Sequence, residues 1–252
     1  MDMNLIQQLS VKNDCYKNNV NKVDSRYTTF HTRGPVGLMI HSVGCPQPKA
    51  QVFADSWNQA GKEIAVHAVL EPGKIIQCLP WNFRGWHGGG DSNNTHVGVE
   101  MTEPATIKYT GGASWVETSD GTNTKAHVLG TYKTAVELFA FLCGQYKLDP
   151  LKDGVIISHS EGYKRGIASN HGDVEHLWNK FGLTMKQFRQ DIKAAMTSGT
   201  GDNPSVWAKE ATTWAKGIKL FEGDGAGNYD WQGVLTREMA AQVFYNYSKI
   251  IK

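Results

Sequence analysis

The chain has 252 residues, enough for one large domain or a medium one with a small appendage. A formal net charge of +2 is too mild to argue for nucleic acid, and no apolar run approaches membrane-spanning length. The four cysteines, Cys15, Cys45, Cys78 and Cys143, fall in no CxxC spacing, which argues against a zinc knuckle or a thioredoxin-like motif.

Met1 to Gln8 lacks a basic region followed by an apolar core. It is read as no secretory signal, so the chain is expected to stay in the cytoplasm or leave it by another route. Residues 1–35 are polar, with Leu5-Ile6 and Val20 and Val23 as anchors, and read as a short helix and an arm wrapping the domain. Leu38 to Ile40 is the first strand, and it runs on to His41. Pro46-Gln-Pro48 opens a helix over Lys49–Gln59, with Val52, Phe53 and Trp57 on one face. Cys45, four residues after His41, could approach a metal there, but Pro46 makes it a turn residue. A cytoplasmic origin disfavours a Cys15–Cys45 bridge. Ile64 to Leu70 is apolar almost throughout, as a central strand would be. Glu71-Pro-Gly-Lys74 then turns the chain, and Ile75 to Leu79 returns. Cys78 and Cys143 sit in apolar surroundings and read as core thiols.

Pro80 to Gly90 is a loop rich in aromatics and glycine. Its tryptophans could simply anchor the loop. The alternative is a platform for a sugar ring, with Trp81, Trp86 and His87 as substrate contacts and glycines that let a ligand approach the backbone. Val97 to Met101 is a further strand, in which Glu100 alternates to the same face as Gly98. Residues 103–125, rich in Gly, Thr and Ser, read as a long loop carrying Tyr109 and Trp115. Ala126 to Lys147 is the longest helix, with a 3.6-residue apolar stripe.

Val155 to Ser158 is a β-branched strand ending at His159. A polar loop returns to His171 and Asp173, so two imidazoles and two carboxylates, Glu161 and Asp173, gather at one strand end. Helices follow near Val174–Lys180 and Thr184–Ala195, the second capped by Thr184. Thr197 to Pro204 is a linker by composition. Beyond it come a helix around Val206–Lys216, a turn at Gly223–Asn228 and a helix over Thr236–Tyr247.

Strands interleaved with helices predict an α/β fold: a central, mostly mixed β-sheet flanked by helices over residues 1–198, plus a small helical C-terminal domain over 204–252. Ligands in such sheets bind at strand ends. His41, His159 and Asp173 supply two imidazoles and a carboxylate and leave a fourth position open, the arrangement of catalytic zinc. Glu100 could move a proton from water to a leaving nitrogen, and His171 could reach a developing oxyanion. The other histidines have plainer readings. His67 is a satisfied core residue, and His87 and His96 are pocket-wall or loop residues. Glu161 orients His159 or Lys164. His176 competes with Asp173 as third ligand.

Residues 36–195 resemble the zinc-dependent N-acetylmuramoyl-L-alanine amidases of the type-2 group, relatives of peptidoglycan recognition proteins and phage lysozyme-like amidases. The resemblance rests on Leu38-Met-Ile-His41-Ser, His67, Gly73-Lys-Ile-Ile-Gln77, Arg84-Gly-Trp-His87-Gly-Gly, Thr95-His-Val-Gly-Val-Glu100, Ser158-His159 and His171-Gly-Asp173. It implies Zn2+ on His41, His159 and Asp173, catalysis by Glu100, and hydrolysis of the bond between N-acetylmuramic acid and L-alanine in peptidoglycan. Some members carry Lys where this chain has His171. In the tail, Trp207 to Ala215, Gly223-Asp-Gly and Leu235-Thr-Arg-Glu238 resemble one S-layer-homology-like repeat. This implies binding to a secondary cell-wall polymer. The tail also carries more apolar surface than two helices can hide, which predicts a homo-oligomer through residues 204–252. An endolysin of a phage or prophage, acting on the wall after release, is the expected biology. A non-catalytic peptidoglycan receptor and a host autolysin or spore-lysis amidase are the alternatives. Neither a nucleic acid nor a membrane is an expected partner.

Overall fold

The computed structural model describes residues 3–118, 121–198, 208–221, 223, 229, 231 and 237–250. The chain divides into two compact units, residues 2–193 and 194–252. No helix among the described residues is long and apolar enough to cross a membrane.

In the first unit six strands form one sheet: β1 (Leu5–Gln7), β2 (Gly37–Ser42), β3 (Ala68–Glu71), β4 (Lys74–Gln77), β5 (His96–Met101) and β8 (Ile156–Ser158). Their order is β1-β4-β3-β5-β2-β8. Only β3 and β4 pair antiparallel, across the turn at Gly73, whose φ of +73° favours glycine. All other neighbours run parallel. A separate hairpin joins β6 (Ile107–Gly111) to β7 (Ser114–Glu117).

Helices cover both faces, as expected of a sheet that is mostly parallel. α3 (Ala50–Trp57) packs Ala50, Ala54 and Trp57 against Val66, Val69 and Ile76. α4 (Gly121–Tyr146) lies along β3 and β5 and buries Val128, Ala135, Leu138, Phe139 and Leu142. Behind it an aromatic cluster of Tyr132, Phe139, Trp178 and Phe188 has ring centroids 5.0–5.5 Å apart, a spacing at which each pair adds about 0.5–1.5 kcal/mol beyond burial. α7 (Met185–Ser198) brings Phe188 and Ile192 to this core. Thr184 Oγ1 accepts from Gln187 N at 3.1 Å and caps it, as the sequence suggested.

Four sequence expectations are corrected. The N-terminal 35 residues are more than a short helix and a wrapping arm: β1 extends the sheet beside β4, followed by two helices, α1 (Asp14–Asn21) and α2 (Ser25–Arg33). Residues 103–125 are no long loop, because residues 107–117 form the hairpin and α4 begins at Gly121, five residues before its expected start. Ile64 to His67 stand outside β3, with Ala65 bridged to Trp86. The segment after His159 begins as a helix, α5 (His159–Lys164), rather than a loop. α6 (Glu175–Trp178) follows. All four cysteines are free, and burial pushes the Cys78 and Cys143 thiols up to about 12.

The second unit contains α8 (Lys209–Gly217) and α9 (Arg237–Ile250). Tyr229 and Trp231 stack at 5.1 Å, and Lys216 Nζ lies 4.2 Å from the Tyr229 ring centre. Asn246 Nδ2 donates to Leu220 O at 3.2 Å. Residues 224–228 of the expected turn, Thr236 and residues 199–204 of the expected linker lie outside the described residues.

Candidate metal centre and active site

Parallel register builds the site. His41 on β2 pairs with Glu100 on β5, and Met39 pairs with both Gly98 and Ile157. Register partners point to one face, so His41 and Glu100 stand side by side at the carboxyl ends of their strands. β8 ends beside them, and α5 starts at once with His159 as its first residue. A capping box fixes that start: Ser158 Oγ accepts from Glu161 N, and the Glu161 carboxylate accepts from Ser158 N. Ser160 N donates to Asp173 O at 3.0 Å, which brings the returning loop to the helix start.

His41 Nδ1 and His159 Nδ1 face each other at 2.9 Å, with Asp173 Oδ2 at 3.5 Å and 3.6 Å from them. Both imidazoles are buried, and Ser42 N donates to the Asp173 carboxylate at 3.4 Å. Burial pushes the His41 pKa below its ordinary value. Two imidazole nitrogens and a carboxylate oxygen, all within 4.8 Å of one another, converge on one point. A divalent cation that takes N and O ligands fits that donor set, zinc among them.

His87 Nδ1 lies 3.0 Å from His41 Nε2, and His87 Nε2 donates to His96 O at 3.0 Å. His159 Nε2 lies 3.1 Å from Ser169 Oγ, which is 3.3 Å from Gly88 O. Glu100 is buried, and its Oε2 has no hydrogen-bond partner. Burial pushes its pKa well above the ordinary value, and the negative charges of Asp173 and Glu103 add to the shift. A cleft of about 470 Å³ opens over these groups, lined by Glu100, His159, His171, Asp173, Tyr109 and His176 among others. His171 is exposed on its rim, with its ring 4.5 Å from that of His159.

The sequence expectations divide. His41, His159, Asp173, Glu100, His171 and His87 come together. Trp86 does not join them: it lines a neighbouring depression, and its Nε1 donates to Tyr27 Oη at 3.0 Å. Trp81 lies in another cleft with His31, Gln77 and Tyr146, at the sheet edge where β1 and β4 end and β2 begins. That edge is opposite the candidate metal centre. His67 is buried and satisfied: Nε2 donates to Phe83 O at 2.7 Å and Nδ1 accepts from Gly98 N at 3.0 Å. Glu161 orients neither His159 nor Lys164 directly; it caps α5 and pairs with Arg189. His176 is outside the ligand group, with Nε2 2.7 Å from Tyr109 Oη.

Sequence reasoning missed a second buried acid. Glu103 accepts from Gly44 N at 3.0 Å and from the Tyr109 hydroxyl at 2.8 Å, and so holds the β6–β7 hairpin against the cleft. Trp115 fixes the same hairpin from its other strand, donating to His176 O at 3.0 Å. It also missed Ser169. No sequence signal marks either Glu103 or Ser169, because their partners are distant in the chain.

The sequence profile of the family described as N-acetylmuramoyl-L-alanine amidase matches residues 31–174, more than half of the chain. No curated protein matches in sequence. Among solved structures, the hydrolase AmiA of Staphylococcus aureus, in complex with its ligand, is similar with a TM-score of 0.54 and 16% identity, over 67% of this chain and 76% of that one. A variant of PlyL is similar with a TM-score of 0.50 and 17% identity, over 76% of this chain and 99% of that one. At such identities the two structures speak to the fold alone.

Proposed function

The chain belongs to the N-acetylmuramoyl-L-alanine amidase family, and we propose that it works with a zinc ion held by His41, His159 and Asp173. The bond it hydrolyses is the amide between N-acetylmuramic acid and L-alanine in bacterial peptidoglycan. The observation that carries the zinc reading is the convergence of two buried imidazole nitrogens and a carboxylate within 4.8 Å of one another.

Zinc, when bound there, supplies a Lewis acid for the carbonyl and lowers the pKa of water. The chain's own residues do the rest. Glu100 faces the cleft from the strand beside His41 with a free carboxyl oxygen. It takes a proton from the attacking water and passes it to the alanine nitrogen as the C–N bond breaks. Water's oxygen ends on the lactyl carbonyl carbon, and the products are a carboxylic acid and a free amine. His171, on the rim, donates to the oxyanion as it forms. Tyr109 and the hairpin wall one side of the cleft. His87 and Trp86 line the depression next to it and offer a path for the glycan.

We read the second unit as a wall-binding module for a secondary polymer, on its likeness to one S-layer-homology-like repeat. The combination suits an endolysin. A receptor without hydrolysis has no use for Glu100, buried and unpartnered beside a ligand set. The deciding experiment is product analysis of digested peptidoglycan. New N-terminal alanine without new reducing sugar ends is the expected result. New reducing ends, or no products at all, would overturn it.

A further inference from the structure

His87 sits behind the metal ligands, and its hydrogen bonds fix which nitrogen of each ring carries a proton. A carbonyl only accepts, so His96 O places the His87 proton on Nε2. A neutral ring then has a bare lone pair on Nδ1. That lone pair is 3.0 Å from His41 Nε2, so the His41 proton is on Nε2 and its Nδ1 is bare. On the other side Gly88 O accepts from the Ser169 hydroxyl. Ser169 Oγ in turn accepts from His159 Nε2, which leaves His159 Nδ1 bare as well. The two bare nitrogens are the pair that face each other at 2.9 Å beside Asp173.

We propose that His87, with Ser169 in the matching place on the other side, is the positioning residue of the metal centre. It selects the His41 tautomer that can bind a cation and holds the ring at its angle. Both relays end on one loop, since His87 and Gly88 are neighbours. Asn93 pins that loop by accepting from both of their backbone N–H groups, at 2.7 and 2.8 Å. The sheet is shaped to admit the ring: a Cβ on Gly98 would come within 2.2 Å of His87 Cγ. The Pro80–Gly90 loop therefore serves the metal site from behind, whatever its outer rim does for substrate.

The proposal rests on the zinc reading, and its test separates the two. Zinc affinity of the full chain is measured by competition with a chromogenic chelator, together with the visible spectrum of the cobalt-loaded protein. His87→Leu removes the acceptor and is expected to weaken zinc binding about 10- to 100-fold, the usual cost of losing such a partner. His87→Asn keeps an acceptor oxygen close to the place of Nδ1 and is expected to recover most of the affinity and the wild-type cobalt spectrum. Ser169→Ala should weaken zinc binding in the same direction. Wild-type affinity and spectrum in His87→Leu, with zinc lost in His41→Ala, would sink the role of His87 and leave the ligands standing. Equal weakening in the Leu and Asn variants would reduce His87 to packing and also overturn the proposal. A wild type that holds no zinc would bring down both readings.

Discussion

His41 and Glu100 are register partners on adjacent parallel strands, so the proposed ligand and the proposed proton carrier share one face at one strand end. The pairing explains why Glu100 is kept buried with an oxygen to spare while the imidazoles behind it are fully engaged. Glu100→Gln keeps the shape and the register but cannot shuttle a proton. We expect it to retain zinc and to bind wall fragments, and to turn over at least ~10²-fold more slowly. Zinc content and turnover measured on the same preparation decide the matter, and an undiminished rate would remove Glu100 from the mechanism.

His41→Ala, His159→Ala and Asp173→Ala should each lose metal, because three ligands leave no redundancy. Chelation of the wild type should abolish hydrolysis, and added zinc should restore it. Metal analysis after gel filtration is the direct check. Full occupancy in the His159 variant would mean that the ligand set is wrongly drawn.

A pH effect on stability follows from His67. Burial lowers its pKa from the ordinary 6.5 to about 4, and both ring nitrogens are used in the neutral form. Between these values the unfolded chain binds the proton and the folded chain does not. The stabilisation is therefore fully present above about pH 6.5 and is lost as pH falls toward 4, in total roughly 3 kcal/mol. Denaturant midpoints from pH 7.5 to 4.5 should drop more steeply in the wild type than in His67→Gln. Parallel curves would show that His67 is not the group that titrates.

Two glycines should respond to alanine with opposite signs. Gly98→Ala drives a methyl into the His87 ring and should cost about 1–3 kcal/mol, with weaker zinc binding as a second effect. Gly144 lies inside α4 with nothing within 4 Å of an added Cβ, so alanine there should gain about 0.5–1 kcal/mol. Thermal unfolding of both variants reads the two signs, and a destabilised Gly144→Ala would count against the helix assignment.

The convergence of the proposed ligand residues was legible because a parallel sheet delivers strand-end side chains to one edge, and β-branched runs ending in histidine announce such strands. What the strands do not announce is which edge a long loop visits. Trp81 and Trp86 share one loop in sequence, yet Trp81 faces the opposite edge. Other signals were present and went unused. Ser158-His-Ser-Glu161 carries the spacing of a capping box and marks the start of α5. Gly111-Gly112 between Ile107 and Trp115 carries the turn of a hairpin. β1 was read as an anchor but not as a strand: three partly exposed residues, Leu5-Ile6-Gln7, gain their order from pairing with β4, not from any pattern of their own.

The last prediction concerns the second unit. Its described helices leave large apolar side chains in water: Trp214 is 54% exposed, Phe244 73% and Tyr245 56%. Phe244 and Tyr245 lie on α9, and Trp214 on α8. A small unit without cysteine, and with such residues uncovered, falls short of the burial that secures an independent core. Association between copies would cover these rings, and several copies of a polymer-binding repeat on one particle would gain avidity for a repetitive wall. We therefore expect the full chain to be oligomeric in light scattering at micromolar concentration, and a version ending at Ser198 to be monomeric. The shortened chain should keep its turnover on soluble muropeptides and lose binding to intact walls. A monomeric full chain would end the idea of self-association. Wall binding that survives the truncation would move the anchoring role to the catalytic unit.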